Sequence, residues 1–208
     1  MKNIGIMVSG NGTNLQAIID AIKSGKINNG RIVTVISNKK DAYALERARS
    51  NDIPNYVFLR KEYSSKEEYG NAILQCLIEN KIDLIVLAGY LSILDTNIVN
   101  KYENKIINIH PSLIPSFCGK GYYGLKVHEE VLKRGVKITG ATVHFVNSDI
   151  DGGPIILQKS VHVLDDDTKE ILQKRVMEEC EHIILPEAIS LFCNDKLETI
   201  NGKVKIRK

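Results

Sequence analysis

IGIMVSGNGTNLQAIIDAI, residues 4–22, decides the architecture. Ile4, Ile6, Met7 and Val8 form a short apolar run that reads as a buried strand. Ser9 to Asn14 (SGNGTN) interrupts it with two glycines. Leu15, Ile18, Ile19 and Ile22 then recur at helical spacing, which predicts a helix over Asn14 to Ser24. A strand, a glycine loop and a helix in that order are the opening half of a βαβ unit.

The pattern repeats downstream. Strands are expected over Arg31 to Ser37, over Asn55 to Leu59 (weaker, after Pro54), over Leu84 to Leu87, and over Ile106 to Ile109. Helices are expected between them, over Tyr43 to Ser50, Lys66 to Asn80 and Asp95 to Tyr102. Apolar strands alternating with amphipathic helices imply an α/β fold: an open, mostly parallel, twisted sheet with helices on both faces. After Pro115 the rhythm changes. A glycine-rich loop, Gly119 to Gly124, leads to a helix near Lys126 to Arg134. Two strands, Gly140 to Val146 and Pro154 to Val163, are expected to pair antiparallel. A long helix is expected from about Thr168 to Phe192, with Asp167 and Glu170 as its capping pair and Pro186 bending or interrupting it. Asn201-Gly202 reads as the turn of a small terminal hairpin.

Composition narrows the classes. The 208 residues suffice for one large domain. The net charge of +3 is too small for a nucleic-acid surface, which concentrates basic residues on one face. Lys203, Lys205, Arg207 and Lys208 read as a solvated tail. No apolar run approaches the ~20 residues of a membrane span. No signal peptide is evident after Met1-Lys2, and Cys76, Cys118, Cys180 and Cys193 show no CxxC spacing, so a cytoplasmic protein with free thiols is expected.

Three loops carry unusual chemistry. In SGNGTN, glycines let a backbone approach an anion at a helix N-terminus, and Thr13 with Gln16 fits a capping box. The loop lacks the lysine of a nucleoside-triphosphate site. Leu15 stands where a dinucleotide site has its third glycine, so a monophosphate fits best. An ordinary βα turn is the alternative. In NIHPS, Asn108 and His110 lie two apart after a strand and so share a face. An amide and an imidazole converging there suit oxyanion stabilisation and proton transfer, with Pro111 and Pro115 stiffening the loop beyond them. A turn after a strand is the plain alternative. In NSDIDGGP, residues 147–154, two acids and two glycines admit three readings: a hairpin turn, a divalent-cation site without the EF-hand ladder, or an aspartate reaching His110.

The segments SGNGTNLQAIIDA, SNKKDAYALERA, IDLIVLAGYLSIL, NIHPSLIPSF, GATVHFV, DIDGGPIILQ and EHIILPEAI occur in this order. Together they resemble the folate-dependent formyltransferase family, and SGNGTN points to the branch that acts on glycinamide ribonucleotide. The likeness runs from about Ile4 to Phe192. It implies a single formyltransferase-type domain over 1–208, with a Rossmann-like nucleotide-binding half of about 1–107 and a folate and catalytic half of about 108–208. It implies Asn108, His110 and Asp151 as the catalytic group, with Asp151 favouring a charged imidazolium. Gly12, Thr13 and Asn14 would hold the substrate phosphate and Glu181 the ribose. Lys66, the stretch Leu91, Ser92, Ile93 and Leu94, and the loop Asn147, Ser148, Asp149, Ile150 and Asp151 would hold 10-formyltetrahydrofolate. No metal is implied, and the partners are small molecules, with a monomer or homodimer expected. Three departures from the family pattern stand out. Leu91-Ser92 replaces a frequent Met-Arg, Lys66 replaces an Arg, and the stretches at 119–124 and 178–180 look longer. A binder of phosphorylated metabolites without catalysis, or a formyltransferase acting on an amino sugar nucleotide, are the rival readings. His144, alternating with Val143 and Phe145, is expected to orient other groups, and His128, His162 and His182 to be surface or structural.

Overall fold

A computed structural model describes residues 1–207. Seven strands form a mostly parallel sheet in the order β3-β2-β1-β4-β5-β6-β7, which is the α/β architecture expected. By compactness the chain divides into two units, the first Met1–Ile107 and the second beginning at Asn108.

In the first unit, β1 (Lys2–Val8) pairs in parallel with β2 (Gly30–Ser37) on one side and with β4 (Leu84–Leu87) on the other. Beyond β2 lies β3 (Asn55–Val57), also parallel. Strand order therefore reverses at β1. With right-handed crossovers this sends α1 (Thr13–Lys23) and α2 (Ala44–Arg49) to one face, and α3 (Lys66–Glu79) to the other. Such a reversal opens a crevice beyond the carboxyl ends of β1 and β4. All four residues of β4 are buried, as its unbroken Leu-Ile-Val-Leu run requires of a strand covered on both faces. Asp95 caps α4 (Thr96–Lys101) by accepting from the Asn97 amide at 3.0 Å.

Strand β5 is Ile106–His110, one residue longer than expected, and His110 is its last residue. In the second unit, α5 (Leu125–Arg134) precedes β6 (Ile138–Phe145), which pairs antiparallel with β7 (Ile155–His162) as expected. The long C-terminal helix departs from expectation in two ways. Its cap is Thr168, whose side chain accepts from the Ile171 amide, whereas Asp167 forms a two-pronged ion pair with Arg175 at 2.6 Å. A guanidinium fork satisfies both carboxylate oxygens, which one backbone amide cannot do. The helix is also divided before Pro186. α6 (Lys169–Val176) runs into a π-helical turn, Met177–Glu181, and α7 (His182–Cys193) contains Pro186 without ending there. The change of register, not the proline, separates the two helices.

The basic C-terminus is not simply a solvated tail. Asn201 and Gly202, both with positive φ, join β8 (Leu197–Ile200) to β9 (Lys203–Ile206), and Arg207 pairs with Glu198. Lys208 lies outside the described residues.

Candidate active site

In the first unit, the loop after β1 reaches α1 through Gly12, whose φ of 70° is left-handed. A Cβ there would lie 2.6 Å from the Ala44 Cβ, so only glycine lets α2 pack so close. The cap position falls one residue earlier than expected. Thr13 is already helical, Gly12 takes the cap position, and the Gln16 side chain turns to Asp20 and Arg47. The loop is braced from α2 instead. The Ala44 amide donates to the Gly10 carbonyl at 3.1 Å, and Arg47 Nε donates to the Asn11 carbonyl at 2.8 Å. Thr13 and Asn14 lie on the first turn of α1, where backbone N–H groups and the helix dipole favour an anion.

The loop after β4 is pinned as well. Its Leu91 amide donates to Ser9 Oγ at 2.9 Å, and Ser92 Oγ accepts from Asn38 Nδ2 at 2.7 Å. Leu91 and Ile93 stay exposed while Leu94 is buried. Lys66 is exposed at the start of α3. Ser92 is thus an anchor for this loop.

In the second unit, several separate segments converge on His110. Asn108 and His110 share a face of β5, and His110 is buried. The loop Asn147–Asp151 begins with the Asp149 amide donating to Asn147 Oδ1 at 3.1 Å, and it ends with Asp151 in the left-handed region. Gly153 permits this path, since a Cβ there would lie 1.8 Å from the Phe145 carbonyl oxygen. Asp151 Oδ2 then stands 3.6 Å from His110 Nδ1 and accepts from the Gly119 amide at 2.8 Å. Ser148, Asp149 and Ile150 remain exposed. The loop is the turn between antiparallel β6 and β7, closed by the Gly152 amide donating to the Asp149 carbonyl at 3.1 Å, and it also brings Asp151 to His110, so two of the readings open for it hold together.

His110 Nε2 donates to the Phe117 carbonyl at 2.9 Å. Both ring nitrogens therefore face acceptors, and donation from Nε2 to a ligand requires the Phe117 carbonyl to give way. Phe117 itself has a φ of 50°, unusual for a bulky residue. The segment between these residues is held by side chains as well as by its prolines. Thr142 Oγ1 donates to the Ser112 carbonyl at 2.7 Å and accepts from the Ile114 amide, while Gln158 Nε2 donates to the Ile114 carbonyl.

His144, on β6, completes the cluster. Its Nδ1 lies 2.9 Å from the Phe145 carbonyl and its Nε2 lies 3.1 Å from Asn108 Nδ2. Burial pushes its pKa below the ordinary histidine value, and only partly do the Phe145 carbonyl and Asp151 oppose this. His128 is fully buried with neither ring nitrogen partnered among the described residues, and burial, aided by the nearby His110, lowers its pKa to about 4. Burial and Asp151 push the Cys118 thiol up, which keeps it protonated and unsuited to nucleophilic attack. Glu181 is largely buried at the end of the π-helical turn.

The sequence did not point to Phe117, Thr142, Gln158 or Arg47. All of these act through backbone atoms or reach backbone atoms, and no residue type announces such a role.

The chain belongs to the formyl transferase family, matched over residues 2–189, and is thus a group-transfer enzyme. It is 45% identical over 197 residues to the phosphoribosylglycinamide formyltransferase of Haemophilus influenzae, covering 95% of this chain and 90% of that protein. The Escherichia coli enzyme of the same name is 41% identical, covering 94% of this chain and 89% of that protein. The crystal structure of glycinamide ribonucleotide transformylase 1 from Symbiobacterium toebii superposes with a TM-score of 0.94 at 42% identity, covering 100% of this chain and 95% of that one. A formyltetrahydrofolate deformylase from Pseudomonas syringae shares the fold at 28% identity and a TM-score of 0.89, but this chain spans 66% of it.

Proposed function

We propose that this protein transfers the formyl group of 10-formyltetrahydrofolate to the amine of glycinamide ribonucleotide, in purine biosynthesis. The products are formylglycinamide ribonucleotide and tetrahydrofolate. The observation that carries the mechanism is the approach of Asp151 to His110 at 3.6 Å, on the same unit as Asn108.

The substrate amine attacks the formyl carbon, and the carbonyl oxygen becomes a tetrahedral oxyanion. Asn108 Nδ2 and His110 donate to that oxygen. Loss of one such donor typically costs ~3–4 kcal/mol of barrier. His110 donates once its Nε2–H leaves the Phe117 carbonyl, while Asp151 holds the opposite edge of the ring. As the intermediate collapses, the bond from carbon to N10 breaks and N10 takes a proton. Asp151 is the group assigned to relay that proton from the amine through water.

The remaining assignments rest on the chemistry of each element. The amide-rich turn at Gly12, Thr13 and Asn14 suits the phosphate, and Glu181 suits ribose hydroxyls. Backbone groups of Leu91 to Leu94 and of Asn147 to Asp151 suit a pterin ring, with the exposed side chains of Leu91 and Ile93 offering apolar contact. Lys66 suits the folate's acidic tail. No step requires a metal ion.

The test is direct. Purified protein given glycinamide ribonucleotide and 10-formyltetrahydrofolate should release tetrahydrofolate and formylated ribonucleotide in equal amounts. Release of tetrahydrofolate at the same rate without the ribonucleotide would mark a hydrolase instead. No turnover by well-folded protein would refute both.

A further inference from the structure

Asn108 presents a particular problem. Its amide can be turned either way in nearly the same volume, and only one orientation directs Nδ2 toward His144. Residues that fix such a choice do so by offering an obligatory donor or an obligatory acceptor. His144 offers an acceptor. Its Nδ1 lies 2.9 Å from the Phe145 carbonyl, which can only accept, so the proton must be on Nδ1. In the neutral ring Nε2 then carries a lone pair, and it lies 3.1 Å from Asn108. An amide oxygen facing that lone pair would be repelled, whereas an amide N–H is bonded.

We infer that His144 is a positioning residue for the formyl transfer: as a neutral, Nδ1-protonated imidazole it holds the Asn108 amide with its nitrogen toward Nε2, leaving the second N–H of Nδ2 for the reacting oxygen. This rests on the proposed role of Asn108 as an oxyanion donor. Burial keeps the ring neutral, since only 2% of His144 is exposed. The charged or titratable groups facing it are Asp151, whose Oδ1 is 3.8 Å from Nε2, and His110. They act in opposite directions on its proton affinity. The Phe145 carbonyl that fixes the tautomer is fixed in turn. The Phe145 amide donates to the Pro154 carbonyl at 2.9 Å, and Gly153 packs directly on the Phe145 oxygen. This dependence of one ligand on an outer hydrogen bond is the usual way a site holds an ambiguous side chain.

Two measurements test it. Ring ¹⁵N resonances of the intact protein should show His144 protonated on Nδ1 alone across the pH range of activity. A proton on Nε2 at neutral pH would overturn the inference without any variant being made. The second measurement is kinetic. Asn108→Ala should lower kcat by ~10²–10³-fold. His144→Leu, which keeps bulk but offers no acceptor, should lower kcat by roughly ten-fold or more with KM nearly unchanged. His144→Gln, which restores an acceptor near the Nε2 position, should recover most of that loss. The Asn108→Ala, His144→Leu double variant should be no slower than Asn108→Ala alone, because His144 acts only through Asn108. Losses that simply add, or a glutamine variant no better than leucine, would overturn the inference. If Asn108→Ala itself keeps its kcat, the proposed role of Asn108 fails instead, and the ¹⁵N result still judges the tautomer of His144.

Discussion

The glycine loop of residues 9–14 and the cluster around His110 are built in contrasting ways. The loop is one contiguous stretch offering backbone, and its shape is set by a packing contact between Gly12 and Ala44. The cluster gathers Asn108 and His110 from β5, His144 from β6 and Asp151 from a distant loop, and its chemistry is in side chains. The first kind of site is robust to most side-chain changes but intolerant of an added Cβ. The second loses its chemistry when one side-chain atom is removed, while its backbone stays intact.

Breaking the cluster should give the largest effect. His110→Ala should lower kcat by ~10²–10³-fold, about 3–4 kcal/mol, with ligand affinity nearly preserved. Asp151→Asn should also lower kcat. The double variant should be little worse than the poorer single one, as measured by a kinetic cycle. Strictly additive losses would mean that the two side chains work independently.

Breaking the loop should act on folding first. Gly12→Val places a branched side chain at a left-handed φ and against Ala44, which should cost about 3 kcal/mol in denaturant unfolding. Simple obstruction of an anion predicts a higher KM at unchanged stability. The contact with Ala44 predicts that stability falls along with it, and the two measurements separate these causes.

Acid should single out the second unit. His128 has an ordinary value of 6.5 and a folded value of about 4, so the unfolded chain takes up its proton first. The stabilisation is fully present above pH 6.5 and is lost as the pH falls toward about 4, by roughly 3 kcal/mol. His144 and His182, also lowered, add in the same direction. His128→Leu should flatten this limb of the stability profile in equilibrium unfolding. An unchanged slope would mean that His128 is not the group responsible.

The smallest effect sharpens the loop side of the contrast. Arg47→Met removes the donors to the Asn11 carbonyl and to Gln16. It should raise the KM for the ribonucleotide by several-fold, about 1 kcal/mol, with a smaller change in kcat. An equal loss of affinity for a folate ligand would point to general loosening of the fold.

By itself the sequence determined the alternation of strands and helices, the antiparallel pairing of β6 with β7, and the terminal hairpin. Hydrophobic period and turn residues are local signals, and these elements obey them. It also made Asn108 and His110 legible as a pair, because alternate residues of a strand share a face. The resemblance, not spacing, singled out Asp151, since no local rule brings residue 151 to residue 110. Only the tertiary structure decided which side-chain oxygen caps a helix and which pairs with an arginine, as at Thr168 and Asp167. It alone placed the π-helical turn at 177–181, where register depends on packing rather than on the proline beyond it. It also placed the Phe117 carbonyl on His110 and brought His144 Nε2 within 3.1 Å of Asn108. A carbonyl is present at every residue and a tautomer is written in none, so such roles exist only once the chain has brought their partners within hydrogen-bond reach.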